Sequence, residues 1–140
     1  NDLGKIRNVG QFRESKIIFP DKGRVSEVYD GDTFLLQSGQ TIRLLGINAP
    51  DRGEAGYEKA GEYLKRIIDQ KEIRLEYDKY QDDKYGRILA YVFQNCTIEI
   101  GCDNGQRMVN WVLVKEGLAK TVFYKDRGKL KYQDELLTAE

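Results

Sequence analysis

Between residues 15 and 47 short apolar runs alternate with turn residues, and no run is long enough to complete a helix. Ser15–Phe19 precedes a Pro-Asp-Lys-Gly turn, and Arg24–Tyr29 ends at Asp30-Gly31-Asp32. Thr33–Gln37 follows, then a Ser38-Gly39 turn, then Thr41–Ile47. β-Branched residues between close turns predict a meander of antiparallel strands. In Thr41–Ile47 the period of two puts Ile42 and Leu44 on one face and Arg43 on the other.

The pattern then changes period. Over Glu54–Gln70, Tyr57, Ala60, Leu64, Ile67 and Ile68 fall on one side at helical spacing, with Glu62 and Arg66 as an i,i+4 pair on the other. Glu72–Tyr77 and Ile88–Phe93 read as strands around a charged loop, Asp78–Gly86. Val109–Glu116 reads as a short helix with Gly117 as its stop. Lys129–Thr138 reads as a third helix with Leu130 and Leu137 on one face. Five strands with a helix inserted between the third and fourth predict a five-stranded OB-type Greek-key β-barrel plus about three helices. At 140 residues the chain is long enough for one core. The expected organisation is a loose arm over residues 1–14 and a single domain over 15–140. The sequence opens at Asn1 rather than a methionine, which predicts a processed or excised form whose signal or anchor lies upstream. The longest apolar runs are only a few residues, so no membrane-spanning helix is expected.

Composition narrows the chemistry. The chain has no histidine, which excludes Ser–His–Asp and Cys–His catalysis, histidine-ligated zinc and a histidine base. Its two cysteines cannot form a four-cysteine metal site. What remains is Asp, Glu, Lys, Arg, Tyr or a hard metal ion bound through oxygen. The formal net charge is zero, from 23 basic and 23 acidic residues, so there is no global attraction to polyanions. The middle of the chain is acidic and the stretches on either side of it basic, consistent with solvated surface or with an acidic cation site beside basic flanks.

Three pieces carry the chemistry. Asp30-Gly31-Asp32-Thr33 sits between two strands. Arg43-Leu44-Leu45-Gly46-Ile47-Asn48-Ala49-Pro50-Asp51 delivers an arginine on a strand and then breaks at a proline flanked by oxygen-bearing side chains. Asp83-Lys84-Tyr85-Gly86-Arg87 is a charged turn that leads into a strand. Cleaving a phosphodiester needs a cation on the non-bridging oxygens, stabilisation of developing charge and a positioned water. Arginine suits the second task because its planar fork bonds phosphate bidentately and stays protonated.

In this order and spacing, and with Leu89-Ala90-Tyr91-Val92, Met108-Val109-Asn110 and Leu113–Lys120, the pieces resemble the staphylococcal nuclease family from about Gly23 to Tyr124. The resemblance implies an OB-fold barrel with three helices. It also implies calcium-dependent endonucleolytic hydrolysis of DNA and RNA, with single strands preferred, by a monomer. Residue by residue it implies Asp32 as a calcium ligand and Ala49 as a backbone carbonyl donor to the metal. Arg43 and Arg87 fall on phosphate-clamping positions. Lys84 and Tyr85 fall on positions that contact the nucleotide's phosphate. Tyr124, with Phe123, lies near the base-stacking tyrosines, one residue short in spacing. A secreted or cell-surface location is expected.

Two positions depart from the family pattern. Asn48 stands where the family has a second metal aspartate, which removes a negative charge and weakens calcium binding. Asp51 stands where the family has its catalytic glutamate, one methylene longer; Glu54, three residues on, is a rival for the role. These departures keep a second reading open, a catalytically weakened OB-fold module that binds nucleic acid or another partner. Elsewhere the plainer expectation holds. Asp30 reads as a turn-stabilising residue, Asp78, Asp82 and Asp83 as a solvated loop, and Trp111 as helix packing. Cys96 and Cys102 lie roughly 20 Å apart if Gln94–Gln106 is one straight strand, and bond only if the segment folds back, for example around Gly101.

Overall fold

The computed structural model describes residues 19–124 and 128–140. The expected loose arm, and most of the expected Ser15–Phe19 strand, lie outside the described residues. The elements are β1 Lys22–Asp30, β2 Thr33–Leu36, β3 Thr41–Leu44, β4 Ile47–Asn48, α1 Tyr57–Ile68, β5 Glu72–Glu76, β6 Ile88–Asn95, β7 Gln106–Met108, α2 Val109–Lys115, β8 Lys120–Thr121 and α3 Gln133–Ala139.

The strands close a five-stranded barrel. β1 is long enough to serve two neighbours. Lys22–Arg24 pairs antiparallel with β5, and Val25–Asp30 pairs with β2 through two register shifts that bend the strand. β2 pairs with β3, β5 with β6, and the parallel pairing of β3 with β6 closes the ring. The resulting order, β1-β2-β3-β6-β5 and back to β1, is the Greek-key order of the OB fold. Phe34, Leu36, Ile42, Leu44, Ile73, Ala90 and Val92 fill its interior. Ile42 and Leu44 point inward, as the strand period predicts, and Arg43 takes the opposite face. α1 packs against β1 through Ala60, Leu64, Ile67 and Ile68. Buried Asn110 stitches α2 to the barrel: its carbonyl accepts the Val92 N–H at 2.9 Å, and its amide donates to the Leu45 and Ala90 carbonyls.

Several local expectations are corrected. The first helix begins at Tyr57 rather than Glu54, because Gly56 has φ 91°. An L-residue avoids that left-handed conformation, and the Asp51–Gly56 segment is left as a turn. Arg66 lies over the Tyr63 ring at 4.8 Å rather than pairing with Glu62, so the ring competes successfully with an exposed carboxylate. The expected strand Thr41–Ile47 divides into β3 and β4 at the Leu45-Gly46 turn. The last helix starts at Gln133, and Leu136 and Ala139 are its buried residues, whereas Leu137 is exposed. Asp78 and Asp83 are structural rather than free in solvent. Asp78 accepts the Tyr91 hydroxyl at 2.8 Å and the backbone N–H of Lys131 at 2.8 Å. Burial pushes its carboxyl up, but the N–H groups of Lys131 and Lys79 and the Tyr91 hydroxyl outweigh burial and hold it below the usual value.

After β6 the chain leaves the sheet and folds back, bringing Cys96 and Cys102 to a Cα–Cα distance of 5.9 Å in a disulfide. The Trp111 ring lies against Gly101 in the returning segment, so its role is packing. Closing so short a loop removes little chain entropy from the unfolded state. Replacing both cysteines by serine is therefore expected to cost only about 2 kcal/mol. The check is a lower urea midpoint at unchanged slope, with the barrel's circular dichroism retained.

Candidate active site

Four separate stretches meet at one end of the barrel, and sheet register brings them there. Arg43 sits in β3 with Thr33 of β2 opposite on one side and Leu89 of β6 on the other. Asp32 directly precedes Thr33, and Arg87 stands two residues before Leu89, so the pairing brings both to the Arg43 end of the barrel. Asn48 in β4 faces Lys120 in β8, and the Val122 N–H continues that pairing onto the Gly46 carbonyl at 3.0 Å. The pairing carries Val122–Tyr124 across the same end. Gly31 permits the close approach on the Asp32 side: a Cβ there would lie 2.7 Å from the Cβ atoms of Ala49 and Ala60.

Asp32 is 8% exposed, and most of its carboxylate's capacity is taken. Oδ1 accepts the Thr33 hydroxyl at 3.0 Å. Oδ2 accepts the Ala49 N–H at 2.9 Å and lies 3.3 Å from Nη2 of Arg43. Nη2 also donates to the Asn48 side-chain oxygen. Nη1 of Arg43 donates to the carbonyls of Leu44 and Ile47 at 2.6 and 2.9 Å. Both hydrogens of Nη1 are therefore committed within the protein, and Nη2 is tied to Asn48 by a hydrogen bond and to Asp32 by an ion pair.

Arg87 is held differently. Its Nε donates to Oδ2 of Asp83 at 2.7 Å, while Oδ1 of Asp83 accepts the backbone N–H groups of Tyr85 and Arg87. Asp83 thus shapes the turn and fixes the guanidinium at its inner end. Both terminal nitrogens of Arg87 are without a hydrogen bond among the described residues. The Tyr85 ring, 70% exposed, lies 5.1 Å from the Arg87 guanidinium and 5.2 Å from Nζ of Lys84.

Arg43, Asn48, Lys84, Tyr85, Arg87, Phe123 and Tyr124 line one open cleft of about 390 Å³. Asp51 does not. It lines a second cleft of about 860 Å³ with Asn48, Ala49, Glu54 and Lys120. The two clefts share Asn48 and Val122 as a common border. Of the expected site residues, Asp32 reaches the first cleft through Arg43, and Ala49 belongs to the second. Tyr124 is tied down: its hydroxyl accepts the Gly46 N–H at 3.1 Å and its ring packs against Tyr80 at 5.5 Å. The aromatic faces open to a ligand here are Tyr85 and Phe123, the latter 60% exposed. Asp30 stabilises the turn, accepting the Asp32 N–H at 3.0 Å.

Sequence reasoning missed two partners. Asp83 positions Arg87, for which the i,i+4 spacing was the available signal. Glu54 reaches back so that its Oε1 accepts the Asp51 N–H at 2.7 Å.

A family model described as staphylococcal nuclease homologue matches residues 41–140. The chain is 34% identical to the thermonuclease of Staphylococcus hyicus over 126 residues, covering 84% of this chain and 68% of that protein. It is 34% identical to the thermonuclease of Staphylococcus intermedius over 136 residues, covering 90% and 75%. It is 32% identical to the endonuclease YncB of Bacillus subtilis over 116 residues, covering 76% of this chain and 50% of that protein.

Proposed function

The chain belongs to the staphylococcal nuclease family, and from that premise we propose that it is a calcium-dependent endonuclease that hydrolyses phosphodiester bonds of DNA and RNA as a monomer. The observation that carries this reading is the single cleft lined by Arg43, Asn48, Lys84, Tyr85 and Arg87. Three cationic side chains beside an open aromatic ring form a receptor for a phosphate and the base attached to it.

A calcium ion fits the donor set. Oδ2 of Asp32 and the side-chain oxygen of Asn48 already converge on one cationic group, Nη2 of Arg43, so two hard oxygens share a point in space. Asp32, Asn48 and the Ala49 carbonyl would hold the ion, with water completing its shell. One carboxylate among those donors makes it a weak site. Bound there, calcium supplies Lewis-acid polarisation of a non-bridging phosphate oxygen. The rest falls to the protein. Arg87 places its two terminal N–H groups on the phosphate oxygens, where they strengthen as charge develops. Lys84 supplies a point charge for a phosphate, and Tyr85 an exposed face for a base, which favours single strands whose bases are free to stack. Asp51, in the adjoining cleft, accepts the proton of the attacking water. The disulfide supports a secreted or cell-surface location, where such bonds persist.

Placement of Asp51 in the second cleft, together with the carboxamide at Asn48, favours the alternative, a nucleic-acid binding module with residual or no turnover. Digestion of single-stranded DNA and RNA with calcium, then with EDTA, tests the two. Cleavage that stops on chelation is expected. Retained binding without cleavage selects the module.

A further inference from the structure

In the free protein Arg43 is not poised as a phosphate clamp. Each terminal guanidinium nitrogen carries two hydrogens. Those of Nη1 go to the carbonyls of Leu44 and Ile47; Nη2 donates to Asn48 and forms an ion pair with Oδ2 of Asp32 at 3.3 Å. Among the described residues, Nε–H and one hydrogen of Nη2 have no hydrogen-bond acceptor, although Nη2 is held by the Asp32 charge. The arginine therefore cannot offer phosphate its end-on fork of Nη1 and Nη2 without giving something up. The contacts of Nη1 are backbone carbonyls in the strand and turn that carry Arg43 itself, and they anchor it. The contacts of Nη2 are the two side-chain oxygens best suited to a hard cation.

The Asp32 carboxylate is equally crowded. Oδ2 of Asp32 has two acceptor positions. One holds the Ala49 N–H at 2.9 Å, and the other faces Nη2. Oδ1 is bonded to the Thr33 hydroxyl. A metal ion taking Oδ2 must displace Nη2, because a guanidinium held 3.3 Å from that oxygen and a divalent cation bound to it repel each other. The same holds for the Asn48 oxygen. The pair is well shielded, with side-chain exposures of 14% for Arg43 and 12% for Asp32, so solvent does little to soften the competition.

We propose that Arg43 is a built-in competitor for the cation site: with no ligand bound, its Nη2 occupies the place between Asp32 and Asn48 that a divalent cation would take. Cation binding then requires the guanidinium to pivot about Nη1, and the pivot turns Nη2 toward the cleft that Arg87 faces. Arg43 thereby links cation loading to the arming of its own phosphate contact. This rests on the reading of the cleft as a cation-assisted phosphodiesterase site.

Titration calorimetry of the whole chain with calcium chloride alone, without nucleotide, tests the proposal. Arg43→Gln removes the competing charge and is expected to bind calcium about tenfold more tightly than the wild type. Arg43→Lys keeps a charge on a shorter, forkless side chain and is expected to gain less. Thermal melting in EDTA identifies a variant that has lost its fold, and Arg43→Lys then serves in place of Arg43→Gln. Equal or weaker calcium binding by the folded variants overturns the competition while leaving the proposed function standing. No calcium binding by any form, with DNA cleavage by the wild type insensitive to EDTA, overturns the proposal and the calcium-dependent reading together.

Discussion

Arg87→Ala is expected to lower kcat/KM on single-stranded DNA by roughly 10²–10³-fold, the usual loss when one preorganised donor to a developing oxyanion is removed. The expectation follows from how the side chain is held. Its Nε is spent on Asp83, and the same carboxylate receives the N–H groups of Tyr85 and Arg87, so the guanidinium is fixed before substrate arrives. Both terminal nitrogens are without a hydrogen bond among the described residues, so no hydrogen bond has to break before phosphate binds. Arg87→Lys should recover little, because an ammonium cannot reproduce two parallel N–H bonds or the contact with Asp83. Asp83→Asn separates positioning from charge. Its amide oxygen still accepts backbone N–H, but the ion pair with Nε is lost, so KM for DNA should rise more than kcat falls. The guanidinium is partly exposed and stabilises little beyond its own turn, so melting temperatures should stay close together. Activity of Arg87→Ala within a few-fold of wild type would mean that the reacting phosphate does not sit in this cleft.

The barrel was legible because its signals are local. Period-two runs between close turns mark β1 to β3, and the 3.6-residue period of Ala60, Leu64, Ile67 and Ile68 marks α1. The parallel pairing of β3 with β6 that closes the ring is a different matter. It joins residues more than forty positions apart, and only the OB pattern as a whole implied it. The site divides the same way. The grouping of Arg43, Asn48, Lys84, Tyr85 and Arg87 came from the order of motifs, and these five residues line one cleft. What each side chain bonds to did not. Strand parity exposes Arg43 but is silent on whether its guanidinium turns to solvent, to phosphate or to Asp32. Asp83 carried the composition of a solvated loop, and only the turn geometry shows it holding Arg87. Leu136 and Leu137 are neighbours of equal hydrophobicity, so a helix boundary shifted by a few residues decides which is buried. The disulfide depended on a chain reversal after Asn95 that has no periodic signature.

Asp51→Asn is expected to reduce kcat by roughly 10²–10⁴-fold with a small change in KM, the range for losing a general base. Asp51 and Glu54 both line the cleft that borders the arginines at Asn48, so proximity alone does not choose between them. Their bonding does. Oε1 of Glu54 accepts the Asp51 N–H at 2.7 Å, which commits that carboxylate to holding the turn. The Asp51 carboxylate makes no hydrogen bond among the described residues and is exposed, so it can take a water on either oxygen. Glu54 is then a positioning residue. Glu54→Gln keeps an oxygen that accepts the Asp51 N–H, and kcat should fall less than tenfold. Glu54→Ala removes the acceptor, and kcat should fall further as the turn loosens and Asp51 drifts, since a displacement of about 1 Å costs on the order of 10²-fold. Asp51→Glu extends the carboxylate by one methylene to the length the family uses, and kcat with calcium is expected to rise while KM moves little. Steady-state kinetics on the four variants reads this directly. An inactive Glu54→Gln beside an active Asp51→Asn would exchange the two roles, because only a group whose charge is needed loses function when its shape is kept.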